Sequence, residues 1–88
     1  MRARTEGVTW RTVDAQAVIL DLEDSCYLRL NPAGAILWER LQNECTEDDL
    51  AEVLVSEFGI GREQADHDAR QFVAAVAENN LLAEPKTT

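Results

Sequence analysis

Basic residues are scarce in this 88-residue chain: eight Lys and Arg stand against 17 Asp and Glu, for a net charge of −9. Such a field repels a phosphate backbone unless the cations are gathered into one patch. The eight are scattered instead, with three in the first eleven positions, so no nucleic acid is expected as a partner. Histidine occurs once, at His67, and cysteine twice, at Cys26 and Cys45, with no C-x-x-C pair. A metal site needs three or four ligands at suitable spacing, so neither a metal nor a cofactor is expected. The two cysteines read as reduced, partly buried thiols. No apolar run approaches the ~20 residues that span a bilayer. The opening Met-Arg-Ala-Arg-Thr-Glu-Gly has arginines but no apolar stretch behind them, unlike a secretory signal. A cytoplasmic protein with no membrane partner is the expectation. Glycine is also sparse, and Gly59-Ile60-Gly61 lacks the lysine and the preceding strand of a phosphate-binding loop.

What is present is enough apolar residue, 45%, for one small core and a single domain. From Val8 to Val13, Val8, Trp10 and Thr12 alternate with Thr9, Arg11 and Val13, a strand pattern. After the polar break Asp14-Ala15-Gln16, Ala17–Leu22 is a β-rich run of strand length. Glu23-Asp24-Ser25 reads as a turn. Cys26–Leu30 alternates again, with Cys26, Leu28 and Leu30 on one face and Tyr27 and Arg29 on the other.

The period changes at Asn31-Pro32, a capping asparagine followed by a proline suited to the first helical position. Gly34, Leu37, Trp38 and Leu41 then fall on one helical face, and the helix is predicted to end near Asn43. Thr46 and Asp49 form a capping-box-like start for a second helix. Leu50, Val53, Leu54 and Phe58 are its apolar stripe and Gly59 its stop. Gly61 opens a third helix whose buried side carries Ala65, Ala69, Phe72, Val73 and Val76. Leu81 and Leu82 pack back on the core, and Glu84–Thr88 is a frayed polar tail. The ordered core is placed at about 7–83. The fold class is α+β: a winged helix-turn-helix with an N-terminal three-stranded antiparallel sheet followed by three helices.

Nothing here assembles a catalytic group. A nucleophile needs a base in reach and a group to orient it. His67 falls opposite the Phe72 and Val76 stripe, and Glu47, Asp48, Glu52 and Glu57 read as a solvated helix face. A helix-turn-helix raises the possibility of DNA binding. Its second helix, however, carries Arg62 and Arg70 against Glu63, Asp66, Asp68 and Glu78. The positive signal is Cys26–Leu30, which runs into Asn31-Pro32 without a proline or bulge inside it. At a sheet edge, such a strand offers unpaired backbone groups to an extended peptide. In the middle of a sheet it would be buried.

The run Leu20-Asp21-Leu22, then Tyr27-Leu28-Arg29-Leu30-Asn31-Pro32-Ala33-Gly34-Ala35-Ile36-Leu37-Trp38-Glu39, resembles the PqqD-like family. That family's pattern is a strand ending in Leu-Asn, then x-x-Gly-x-x-x-Trp on the first helix. A Thr-capped second helix, a third helix and a closing Leu-Leu follow. The resemblance extends over about residues 8 to 83. Leu28 stands where the family often has a second aromatic, and Cys26 where glycine or a charge is common. The resemblance implies a non-catalytic precursor-peptide recognition element, which takes the leader segment of a ribosomally synthesised precursor peptide as an added strand. On this sequence the strand site is Cys26, Tyr27, Leu28, Arg29 and Leu30. The leader would also lie against the third helix near Asp66, Ala69, Arg70 and Val73, where small Ala69 and apolar Val73 leave room for an anchor. Asp66 would pair with a basic leader residue. Within the family the chain most resembles the free-standing leader-binding protein of lasso-peptide clusters, which implies a leader peptidase or other maturation enzyme as a further partner. A precursor chaperone of pyrroloquinoline quinone biosynthesis is the alternative, and a winged-helix DNA-binding module, disfavoured by charge, the second alternative.

Overall fold

The computed structural model describes residues 1–23 and 25–83; Asp24, expected in a turn, and Glu84–Thr88, expected as a frayed tail, lie outside the described residues. Three strands come first: β1 (Val8–Val13), β2 (Gln16–Asp21) and β3 (Cys26–Leu30). They pair antiparallel in the order β1-β2-β3. Val13 faces Gln16 across a two-residue turn in which Asp14 and Ala15 both take left-handed angles, φ 51° and 66°. This is the turn geometry whose twist matches the strands it joins. Ala17, Ile19 and Asp21 point inward from β2. The register therefore puts Val8, Trp10 and Thr12 of β1, and Cys26, Leu28 and Leu30 of β3, on the same face. Leu22, expected at the end of the second strand, is instead an exposed turn residue whose N–H donates to the Gly7 carbonyl at 2.7 Å.

The three helices are α1 (Pro32–Arg40), α2 (Glu47–Phe58) and α3 (Arg62–Glu78). Asn31 caps α1, its side-chain oxygen accepting from the Gly34 N–H at 2.8 Å. Removing that acceptor in Asn31→Ala should cost about 0.5–2 kcal/mol, read as a lower denaturation midpoint with unchanged slope. Gly34 is a packing glycine: a Cβ there would meet Leu30 Cβ at 3.2 Å and the capping Asn31 oxygen at 3.3 Å. α1 stops at Arg40 rather than near Asn43. Gln42 and Asn43 make short i→i+3 bonds, to Glu39 and Arg40 carbonyls, that tighten the chain into a turn. The capping box of α2 is complete, with Asp49 N–H on Thr46 Oγ1 at 3.1 Å and Thr46 N–H on Asp49 Oδ2 at 2.9 Å. The Thr46 N–H bond, aided by Arg40 at 3.7 Å, holds the Asp49 carboxyl below its ordinary value. Gly59 ends α2 at φ 64°, so α2 and α3 meet through a tight glycine turn.

Trp38 lies at the centre of the core, wholly buried among residues that include Ile19, Leu37, Leu41, Leu50, Leu54 and Val76. Trp10 meets it edge to face, ring centroids 5.6 Å apart. Val73 and Phe58, both expected in buried stripes, are half-buried and exposed respectively. The packed core begins before residue 7. Ala3 is buried, its N–H donates to the Leu41 carbonyl at 2.7 Å, and it bridges to Leu82. Arg4 is ion-paired to buried Asp21 and to Glu23. Backbone pairing and ion pairs hold this segment, and neither leaves a hydrophobic period in the sequence. Cys45 is buried, and burial pushes its thiol up. Cys26 is exposed rather than partly buried, because it starts the outer strand. No helix among the described residues is long and apolar enough to cross a membrane.

Candidate functional site

β3 is an edge strand, not a central one. Which of its backbone groups face outward follows from the hairpin. In an antiparallel pair, directly opposed residues alternate between exchanging both hydrogen bonds and exchanging none. A two-residue turn closes on a bonded pair, here Val13 with Gln16, so Val18 and Leu20 also bond toward β1. Ala17, Ile19 and Asp21 of β2 are left to bond toward β3, where they face Leu30, Leu28 and Cys26. The N–H and C=O groups of Tyr27 and Arg29 are therefore the pair that points away from the sheet.

The helices keep that edge open. α3 packs on α2 and α1, and α1 supports β2 and β3, so β3 and α3 stand on two sides of a cleft. The cleft measures about 290 Å³. Leu30, Ala33, Leu37, Leu54 and Phe72 supply its apolar surface, Asn31, Asp68 and Gln71 its polar side chains, and Arg29 borders it at the strand. Toward the start of β3 it continues as a shallow crease between Cys26, Tyr27, Leu28 and the α3 end at Asn79 and Leu81. Asp68, Gln71, Phe72, Ala75 and Asn79 thus follow β3 from its last residue to its first. Strand and helix run antiparallel, with apolar floor between them.

The structure brings Cys26, Tyr27, Leu28, Arg29 and Leu30 together on this edge but places the four expected α3 residues elsewhere. Ala69 is completely buried and offers no surface. Asp66, Arg70 and Val73 recur at i, i+4 and i+7 on the other flank of the Ala65-Ala69-Phe72-Val76 stripe. There Asp66 accepts from Arg62 at 2.8 Å, while Arg62 also reaches Asp48 at 2.6 Å. Arg70 stands 3.9 Å from Glu47. That flank ties α3 to the start of α2. The residues facing β3 are Asp68, Gln71 and Ala75, at i, i+3 and i+7, together with Phe72. A buried helical stripe has two flanks, and periodicity does not say which one borders the sheet.

Asp68 is the acidic group of the cleft, and Gln64 donates to it at 2.8 Å. His67 is exposed on the helix surface. Among the described residues no group of three or more His, Cys, Asp or Glu side chains is placed to hold a metal. Fold and edge together define a small winged-helix-type module with an open strand facing a helix across an apolar cleft.

The chain belongs to the family described as coenzyme PQQ synthesis protein D (PqqD), whose model matches residues 16–82. Two solved structures are similar along nearly the whole chain. One, TbiB1 in complex with the TbiA(beta) leader peptide, is 23% identical with a TM-score of 0.82, covering 99% of this chain and 100% of that one. The other, a lasso peptide synthetase B1 complexed with the leader peptide, is 28% identical with a TM-score of 0.78, covering 94% and 96%. Comparison with curated proteins finds no match.

Proposed function

We propose that this chain is a non-catalytic binding module for the leader segment of a ribosomally synthesised precursor peptide, and that it delivers the peptide to a leader peptidase or other maturation enzyme of lasso-peptide biosynthesis. The observation that carries the reading is the open β3 edge beside the cleft. Tyr27 and Arg29 offer outward backbone donors and acceptors, and the floor of Leu30, Leu37 and Phe72 receives the side chains that an added strand turns inward. The two similar structures are both leader-peptide complexes, which supports the same ligand class here. The pairing supplies sequence-tolerant affinity, while the pocket chooses the anchor. A disordered leader loses conformational entropy on binding, so the buried anchors must offset that ordering. The site used is Cys26–Leu30 with Asp68, Gln71, Phe72, Ala75 and Asn79; Asp66, Ala69, Arg70 and Val73 are not part of it.

Amide exchange tests this directly. With a synthetic leader of the precursor encoded in the same gene cluster at saturation, the Tyr27 and Arg29 amides should slow strongly. Leu28 and Leu30, already bonded to β2, should change little. Unchanged Tyr27 and Arg29 amides in the saturated complex would refute strand addition.

The family's description names pyrroloquinoline quinone synthesis, and delivery of that cofactor's precursor peptide would use the same edge. Titrating that precursor beside the lasso-type leader separates the two: the cognate peptide binds the more tightly.

A further inference from the structure

We infer that the outer face of the sheet, turned away from the helices, docks a partner protein that presents carboxylates beside an apolar patch, and that this partner is the enzyme acting on the bound peptide. The inference rests on the leader-binding reading for the partner's identity but not for the location of the surface.

The location comes from charge. The outward positions of the three strands are Thr9, Arg11 and Val13, Gln16, Val18 and Leu20, and Tyr27 and Arg29. None of the chain's 17 acidic residues is among them, so a chain of net charge −9 presents a patch of local charge +2. Arg11 and Arg29 lie in one cross-strand row on either side of Val18. With strands ~4.8 Å apart, their backbones are separated by roughly 10 Å. Arg4, Arg40, Arg62 and Arg70 each stand within 4.0 Å of a carboxylate. Among the described residues Arg11 and Arg29 make no such pair, although acidic side chains abound elsewhere on the surface.

The next row carries the apolar part. Thr9, Leu20 and Tyr27 are directly opposed across the three strands, with Leu20 43% and Tyr27 66% exposed. An aromatic and a branched aliphatic side chain in the row next to two unpaired guanidinium groups make an apolar strip bordered along one side by a cationic row. The complement is an apolar patch with carboxylates along one side, which the guanidinium forks pair in bidentate fashion. A second copy of this chain would bring the same two arginines against each other in a two-fold contact. That contact is repulsive, which favours a different protein.

A peptide added along β3 extends the sheet sideways and leaves this face uncovered. A partner on this face can therefore be bound while the peptide edge is occupied.

The test uses the full chain, its leader peptide, and the purified leader peptidase, the protease encoded in the same gene cluster. Arg11→Glu and, separately, Leu20→Gln lie outside the peptide edge. Each should keep wild-type leader affinity and melting behaviour while weakening protease binding at least tenfold, and the wild-type association rate should fall as salt rises. Arg11→Lys should retain most of the binding. Protease affinity within twofold of wild type for both folded variants overturns the docking face. So does failure of the wild-type chain to bind the protease while it binds leader, an outcome that leaves the leader reading intact. Absence of leader binding would strike the leader reading instead, and protease binding sensitive to Arg11 would then still support the surface. If one variant fails to fold, the other decides.

Discussion

Trp38→Ala should destabilise the domain by about 3–5 kcal/mol. The indole is completely buried and fills the space between sheet and helices, with Trp10 edge-on against it. A domain of this size has roughly 4–13 kcal/mol in all, and each 1 kcal/mol shifts the melting temperature by about 4–8 °C. The variant should therefore melt far below wild type, and leader binding should weaken only in proportion to the unfolded fraction. Trp38→Phe should cost less. It leaves a smaller void and removes an indole N–H that is buried without an acceptor. A Trp38→Ala chain that keeps its melting temperature yet loses leader affinity would reverse the assignment of Trp38 as a packing residue.

The second large effect is expected at the edge. Arg29→Pro deletes an outward N–H and sets a ring where the added strand must approach, so leader affinity should fall by more than tenfold, about 1.4 kcal/mol. The sheet should survive, because the Arg29 N–H is not one of the bonds to β2. Leu28→Pro is the internal comparison. Leu28 faces Ile19 in a bonded pair, so proline there breaks the ladder and should lower the melting temperature itself. If the two prolines behave alike, by circular dichroism and by leader titration, the alternation of bonded and outward residues on β3 is wrong.

Much of the architecture was legible because its signals are local. Asn31-Pro32, the Thr46 and Asp49 box and Gly59 each fix a helix end through bonds that close within four residues, and alternation in the first and third strands showed which residues share a face. The strand Cys26–Leu30 was legible for the same reason. That it lies at the sheet edge came only with the strand order, and its use by a peptide was what the family resemblance implied. The helix half of the site was not legible. Ala65, Ala69, Phe72 and Val76 were correctly read as the buried stripe of α3, but the flank that borders the sheet depends on how α1 and α2 orient α3. That is a tertiary fact, with no trace in the period of a single helix. The ends of elements slipped for a related reason. Leu22 is apolar enough to continue β2, but the pairing stops at Asp21, which turns inward to meet Arg4. The first residues escaped notice because they are held through their backbone, to which sequence patterning is blind.

That backbone-held segment bears on the order in which the domain assembles. The two hairpins and the α2–α3 pair join neighbours in sequence and close short loops. The Ala3–Leu82 bridge, with the Ala83 N–H on the Arg2 carbonyl at 2.8 Å, joins residues nearly a chain length apart. Its loop-closure entropy is the largest of any contact in the fold, and it is recovered only after both partners are in place. On that ground the local hairpins are expected to form first and the Ala3–Leu82 seam last. Opening starts where closing finished, so the molecule can fray at that seam while the strand and helix that flank the cleft keep their spacing.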